Sequence, residues 1–487
     1  MNIKTRQILT PSILIVLILI ISNIFHYEIY IEDAITLEHL SEYGIAISIW
    51  RILFEPIIGI LLFFNRALYS IDELLYTLVW VLLAFLIYSI FKSIVLKENK
   101  LKFIIAQVIN VPLLLGLWFT VFVIIIFIPL PNNTIVNNST NSVLVTTHSH
   151  SECSHDGLIS QQGLWEWHKR NGFDAFFITE HNNHNRTLDF VQAQRNVEFP
   201  IEPLVMCGEE FSGTNHLSLL GLKRKFSTRG YADSTAIDST RAGNGTVIVN
   251  HWFDGKHKSL DYYKNIGVDG FEIANSATER VYDRELYNEM KKYCISNNLI
   301  MNGGVDFHGY GNACSIWNAF EIPNWHILDP ASKEEAILNI IRRRDQSKLK
   351  VLFYKDRPFY DSQNLIMSPS FTLFNYFRTL NLLQIISWII WIAIFTAIKI
   401  KIADTPKFSE RVTVNKLLSI ASLLSGLFMI LLGLSYYMRI ENIIGFTEMY
   451  EEYSTILYYV GFALLIYSSI TIYFRNKAIE LKNRNRN

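Results

Sequence analysis

The apolar residues of this 487-residue chain collect in long runs at its two ends and thin out in the middle. Residues 8–24, 75–91 and 108–130 on one side, and 383–398, 417–436 and 456–474 on the other, are dominated by Ile, Leu, Val and Phe. Most approach or exceed the ~20 apolar residues that cross a hydrocarbon core of about 30 Å. Six such runs around one polar block predict an N-terminal transmembrane region of three or four helices over 1–130. They also predict a C-terminal region of three helices with a basic tail over 361–487. Between them lie an Asn/Thr-rich linker, 131–141, and a folded polar domain, 142–360. Half the residues are hydrophobic and 18% are charged, which excludes a disordered chain. The 44 basic and 44 acidic side chains cancel, so no nucleic-acid partner is expected of the chain as a whole. Four cysteines are too few for a disulfide scaffold, although a bridge among Cys153, Cys207, Cys294 and Cys314 stays open.

A seventh apolar run, 47–64, carries Arg51, Glu55 and Pro56. It fits either a span or a re-entrant or interfacial helix, because a charge at mid-bilayer costs roughly 2.5–3.5 kcal/mol on insertion scales. Arg51 and Glu55 are four apart and would meet on one helix face. The first run lacks the small-residue site that would mark a cleaved signal. Loop charges set the orientation. Lys399, Lys401, Lys407, Arg411 and Lys416 share one loop, and Arg475, Lys477, Lys482, Arg484 and Arg486 share the tail; the loop between them is acidic. The expectation is an integral protein of a bacterial cytoplasmic membrane with the polar domain on the outer side.

Within the polar domain, short β-rich runs at 143–146, 175–179, 204–207, 217–220, 246–249, 270–274 and 299–301 alternate with helix-like stretches such as 164–171 and 276–298. That alternation predicts an α/β fold, and the strand count favours a barrel. Eleven of the thirteen histidines fall between His148 and His326. His148 and His150 follow the first strand, Glu180 and His181 the second, Glu209 and Glu210 the third, His251 the fifth, and Asp306 and His308 the last. His216 instead opens the fourth. In a parallel barrel the C-terminal strand ends share one face, where barrel active sites lie.

Residues two apart on an extended chain point the same way, so the pair His148/His150 can reach one ion, as can Asp306/His308. Imidazole with carboxylate suits zinc, manganese or iron. So many ligands exceed the needs of one ion, and two or three divalent metals are expected. Such a cluster generates a nucleophilic water and clamps the attacking and leaving oxygens of a displacement at phosphorus.

The string Thr147-His148-Ser149-His150, then His155-Asp156-Gly157, resembles the opening motif of the PHP (polymerase and histidinol phosphatase) domain. Ile178-Thr179-Glu180-His181, Gly208-Glu209-Glu210 with His216, Asn250-His251, and Gly304-Val305-Asp306-Phe307-His308 resemble its later motifs in order. The resemblance covers residues 142–323 and none of the apolar runs. It implies a distorted (β/α)7 barrel, inserted between the two transmembrane groups, with metal-dependent phosphoesterase activity. By position it implies His148, His150, Asp156, His181, Glu210, His216, His251, Asp306 and His308 as ligands, with His148, His150, Glu210, His251, Asp306 and His308 carrying the catalysis. Three departures stand out. Thr146 and Thr147 replace the usual acidic residue before the first histidines, one extra residue precedes Asp156, and Glu180 stands where an aspartate is usual. His155, His184 and His257 fit no slot and are expected as surface or supporting residues, and His168 as an exposed helix residue. Cys153 and Cys207 are expected as packing residues. Arg241, Lys256 and Arg280 are weaker candidates for holding a substrate phosphate. The substrate expected is a phosphate ester, lipid-linked or envelope-associated being the attractive class. The alternatives are a membrane sensor or transporter-like protein with a metal-binding barrel, and an amidohydrolase-type enzyme.

Overall fold

The computed structural model describes residues 3–64, 72–95, 100–254, 258–276, 284–311, 314–357, 366–403 and 414–484. Lys256, His257, Arg280, Lys407, Arg411 and Arg486 lie outside the described residues. The chain opens with helix α1 (Ile3–Ile24), strands β1 (Tyr30–Asp33) and β2 (Tyr43–Ala46), and helices α2 (Ile49–Leu53), α3 (Glu55–Phe63), α4 (Asp72–Val95) and α5 (Lys100–Phe127). The middle runs β3 (Thr134–Asn137), β4 (Ser142–Thr146), α6 (Gln161–Arg170), β5 (Ala175–His181), α7 (Asn185–Arg195), β6 (Leu204–Ser212), β7 (His216–Leu220), α8 (Asp233–Ala242), β8 (Thr246–Val249), α9 (Leu260–Ile266), β9 (Gly270–Asn275), α10 (Arg284–Asn297), β10 (Ile300–Gly304), β11 (Ile316–Glu321), α11 (Pro330–Arg342) and β12 (Leu349–Lys355). The last part holds α12 (Ser368–Arg378), α13 (Leu382–Ala403), α14 (Val414–Ile440) and α15 (Glu448–Arg484).

Ten strands form one sheet in the order β1-β12-β11-β4-β5-β6-β7-β8-β9-β10. All seven expected strands are present, but the sheet is mixed where a parallel barrel was expected. β7 runs antiparallel to β6 and β8, because three residues turn the chain from Ser212 back to His216 and leave no room for a crossover helix. β11, β12 and β1 add an antiparallel flank. The sheet curls until its far ends approach: Asn318 of β11 exchanges two hydrogen bonds of 2.7 Å with Gly303 of β10, and the segment after β10 bridges the segment after β4 at Phe307 and Ser149.

The curl gives each strand an inner and an outer face with period two. One apolar cluster takes Val143, Val145, Ala175, Phe177, Leu204, Met206, Leu220, Ile248 and Ile300 together with Ile337, Leu338 and Ile341 of α11. It is the floor of the curled sheet. Helix α11 is held there by Asp329, whose carboxylate accepts from the amides of Ala331 and Ser332, and by Pro330 in the first turn. Outer-face residues Leu144, Phe176 and Val205 pack on Leu164 and Trp165 of α6. Burying one such side chain contributes about 1.5–3 kcal/mol. Continued upward, the inner-face parity places His181 on β5, Glu210 on β6, His216 on β7, Asn250 after β8 and Glu272 on β9. Apolar residues at the floor thus give way to ligand-type residues at the rim.

Among the described residues, five helices are long and apolar enough to cross a membrane, over Leu74–Val95, Lys100–Phe127, Leu382–Lys401, Asn415–Ile440 and Glu448–Ala478. The sixth expected run forms the shorter apolar part of α1, Leu9–Ile24. α14 and α15 pack closely because a Cβ at Gly426 would lie 2.8 Å from the Gly461 carbonyl oxygen, and one at Gly461 would lie 3.0 Å from that of Gly426. The 47–64 segment, expected as a span or as a re-entrant or interfacial helix, is not a single helix. It breaks at Phe54, and the nine residues of α3 reach about 14 Å, under half the hydrocarbon core. Arg51 Nε lies 3.4 Å from Glu55 Oε2, and Arg51 Nη1 donates to Asn133 Oδ1 at 2.6 Å. Tyr376 OH donates to Glu55 Oε1 at 3.0 Å, and Trp388 Nε1 donates to Tyr376 OH at 3.0 Å.

Two further expectations change. Residues 131–141, read as a solvated linker, contain β3, which pairs with β2 in a two-stranded sheet. The acidic segment after α1, read as a loop, supplies β1 at the edge of the main sheet, with Ile31 opposite Tyr354. Ile31 and Asp33, two apart on the strand, share its buried face, while Tyr30 and Glu32 on the other are partly exposed.

Candidate metal centre

All nine ligands implied by the sequence meet at the rim. Glu210 is the hub and is buried. His148 Nε2, His216 Nδ1 and His251 Nε2 lie 3.1, 3.0 and 3.2 Å from its Oε1, and His150 Nε2 and His181 Nδ1 lie 3.3 and 3.1 Å from its Oε2. Asp306 Oδ1 is 3.2 Å from His148 Nε2 and 3.3 Å from His150 Nε2. Asp156 Oδ2 is 3.2 Å from both His181 Nε2 and His308 Nε2. His216 opens its strand yet reaches the rim because β7 is antiparallel, so its first residue stands opposite Ser212 at the end of β6. His251 and Asp306 adopt left-handed backbone angles, φ +23° and +54°, which cost a non-glycine residue about 1–3 kcal/mol each.

The hydrogen bonds behind the rings fix their tautomers. His148 Nδ1 faces Glu272 Oε1 at 2.9 Å; a carboxylate only accepts, so Nδ1 carries the proton. His150 Nδ1 faces Ser154 Oγ at 3.1 Å, and that hydroxyl gives its own proton to Glu180 Oε2 at 2.7 Å, so Nδ1 again donates. His308 Nδ1 donates to the Asp306 carbonyl at 3.0 Å. The Nε2 lone pairs of His148 and His150 are therefore turned on each other at 3.0 Å, and that of His308 on the Asp156 carboxylate. Such contacts repel unless a cation lies between. Two ligand atoms about 2.1 Å from one ion stand roughly 3.0–3.4 Å apart, the spacing found throughout this cluster. The residues present thus fit bound divalent cations. Three compact groups, His150/His181/His308, His148/His251/Asp306 and His181/Glu210/His216, offer distinct positions.

With protons alone to balance the charge, burial opposes a charged His148, but Asp306, Glu210 and Glu272 outweigh it and hold its pKa well above the usual value. Burial likewise opposes ionisation of Glu210, and His148, His181 and His216 reverse it, holding the carboxyl well below the usual range. Asp156 is held low against its burial by hydrogen bonds from His181 and His308. The opening lies toward His216 and Asp156, whose side chains are each 31% exposed, and His155, at 65%.

Four supporting residues were missed as such. Glu272 is buried, holds His148 and also accepts from the His251 amide at 3.1 Å. Its signal was a charged residue inside the apolar strand Gly270-Phe271-Glu272-Ile273-Ala274. Asn250 Nδ2 donates to Glu210 Oε1 at 2.8 Å. Ser154 and Glu180 orient His150, and Glu180 also accepts from the Ser151 amide at 3.0 Å.

Other candidates lie elsewhere. Glu209 sits on the outer face of β6 and binds His184 and Thr228. His168 is fully buried, against expectation: its Nδ1 donates to the Leu164 carbonyl at 2.8 Å and its ring stacks on Phe176 at 4.0 Å. Arg241 pairs with Asp269 at 3.0 Å, away from the rim, and His326 is exposed. The four cysteines are buried free thiols.

No family model and no curated protein matches the chain. Several solved structures are similar to part of it. A two-domain protein containing a predicted PHP-like metal-dependent phosphoesterase, from Bacteroides vulgatus ATCC 8482, matches 44% of this chain at 19% identity and TM-score 0.34. The match spans 65% of that protein's own length. A putative metal-dependent phosphoesterase from Bifidobacterium adolescentis matches 35% of this chain and 90% of its own at 13% identity and TM-score 0.27. An amidohydrolase from Chromobacterium violaceum matches 42% of this chain and 96% of its own at 11% identity and TM-score 0.28.

Proposed function

We propose that the chain is a membrane-anchored, metal-dependent phosphoesterase whose centre takes two or three divalent cations, Zn, Mn or Fe, on the nine rim residues. The observation that carries this reading is the convergence of six imidazoles and three carboxylates at the rim, spaced as ligands of shared ions, with His148, His150 and His308 fixed in tautomer from behind. When bound, the cations supply a nucleophilic water near neutral pH and neutralise charge on the phosphoryl oxygens.

The chain's own residues do the rest. Glu210 joins the two halves of the ring through its two oxygens. Glu272 and the Ser154–Glu180 pair keep Nε2 of His148 and His150 unprotonated and aimed inward. Asn250 holds the Glu210 carboxylate in place. The apolar floor closes the barrel below, so substrate reaches the centre from the side of Asp156, His216 and His155. That the bond cleaved is a phosphate ester is supported by the number of cationic positions, since a cluster clamps both oxygens of an in-line displacement. The test is to assay the purified full chain, with added Mn²⁺ or Zn²⁺, against soluble phosphomonoesters and phosphodiesters. Hydrolysis is expected to require metal and to fall on the order of 1,000-fold in His148→Ala and Asp306→Ala. Unchanged hydrolysis in both variants would remove the centre from the chemistry.

A further inference from the structure

The rim faces the ends of the long apolar helices, and two of its ligand-bearing loops are fastened to them. The loop carrying His150 and Asp156 meets the 441–447 turn between α14 and α15. The Phe446 amide donates to the Glu152 carbonyl at 2.7 Å, and Tyr450 OH donates to Glu152 Oε2 at 3.3 Å. Arg439 Nη2 lies 3.7 Å from the same carboxylate. Contact is backbone to backbone: a Cβ at Gly445 would sit 2.0 Å from the Glu152 carbonyl oxygen. The loop carrying His308 meets α5, where the Gly311 amide donates to the Ile126 carbonyl at 2.7 Å, and Tyr310 packs beside Ile125 and Ile126.

These contacts fix the height of the centre. α5 has 28 residues, about 42 Å at 1.5 Å per residue. That length matches a bilayer with its headgroups, about 40–45 Å, and puts Ile126 at headgroup level. Gly311 is three residues from His308, at most about 11 Å of chain. The centre is therefore held within about 11 Å of headgroup level. Beside it the 441–447 turn exposes Ile444 (65%) and Phe446 (40%). A centre for soluble esters needs neither this tether nor an apolar lip.

We propose that the phosphate ester cleaved is borne by a membrane lipid, its phosphate at the rim and its apolar chain against Ile444 and Phe446. This rests on the phosphoesterase reading. In the step, a water oxygen bonds to phosphorus, the P–O bond to the leaving alcohol breaks, and that oxygen takes up a proton; the water's other proton is released or stays on the phosphate.

The full chain is placed with Mn²⁺ in nanodiscs, which expose both leaflets, holding phosphatidic acid or phosphatidylglycerol in phosphatidylcholine. The water-soluble counterparts are glycerol 3-phosphate and glycerophosphoglycerol. Membrane-borne esters are expected to be cleaved about 10- to 100-fold faster at equal bulk concentration, as tethering raises effective concentration. In Ile444→Asp/Phe446→Asp the ratio of membrane-borne to soluble cleavage is expected to fall to about one. Ile444→Ser, a milder change at an exposed site, is expected to reduce the preference in part and guards against a folding defect in the double variant. Soluble esters cleaved as fast as lipids, or a preference untouched by both variants, would overturn the lipid assignment and leave the phosphoesterase reading standing. Cleavage of none of the four esters with metal present would overturn both.

Discussion

Around Glu210 imidazole nitrogens crowd onto one carboxylate at 3.0–3.3 Å, whereas Glu55 faces the Arg51 guanidinium and accepts from the Tyr376 hydroxyl. Both carboxylates are buried to the same degree. The rim gathers six imidazoles and three carboxylates, and outer hydrogen bonds turn the Nε2 lone pairs of His148, His150 and His308 inward. The second cluster pairs Glu55 with Arg51 and Tyr376, and Tyr376 in turn with Trp388. The first arrangement sets electron-rich atoms against one another and suits cations; the second sets Glu55 against a cation the chain already carries, Arg51. Buried charge by itself therefore does not mark a site, and the supply of protons from behind does. The same contrast weakens the transporter-like alternative, which rested on Arg51 and Glu55.

The largest effect that would sharpen the contrast is at the hub. Glu210→Gln is expected to lower bound metal, measured by elemental analysis, and to cut hydrolysis on the order of 1,000-fold with the circular dichroism spectrum intact. Retained metal and activity would place the hub elsewhere. Next, Glu55→Leu leaves Arg51 buried and without its carboxylate, an expected loss of about 3–5 kcal/mol in unfolding experiments, with bound metal unchanged. Arg51→Met/Glu55→Leu is expected to recover most of it. If Glu55→Leu instead strips the metal without destabilising the fold, the two clusters are not independent. Glu272→Gln keeps the His148 tautomer but removes the charge behind it, and metal affinity by competition titration is expected to fall about 10- to 100-fold.

His168 provides the smallest effect and a control, being a buried imidazole that needs no ion. Burial lowers its pKa to about 3, an effect only partly offset by the hydrogen bond to Leu164. The unfolded chain, with a histidine pKa near 6.5, binds the extra proton between those values, so stability falls as pH drops below about 6.5. The contribution at pH 5 is about 2 kcal/mol less than at pH 8. His168→Phe should flatten that part of the stability–pH curve; an unchanged slope would mean that another group carries it.

Seven strands were legible because each is a short apolar run closed by polar residues. β11 and β12 were not sought beyond the last ligand, although Leu349-Lys350-Val351-Leu352-Phe353 shows strand-like residues. β1 was out of reach, since its partner is more than 300 residues away and local pattern carries no such pairing. The ligand spacing was visible in the sequence, and the tautomer control was not. Ser154 and Glu180 matter through their contact with His150, which only the curl of the sheet creates. His168 was misjudged because its helix presents it to Phe176, a neighbour that sequence distance does not suggest.

The pairing of β1 with β12 also constrains how the chain threads a bilayer. Strands of one sheet lie on one side of any bilayer, so a chain crossing between Asp33 and Ser142 would do so an even number of times. α4 and α5 are the two described helices of that stretch long and apolar enough to cross, which is an even number.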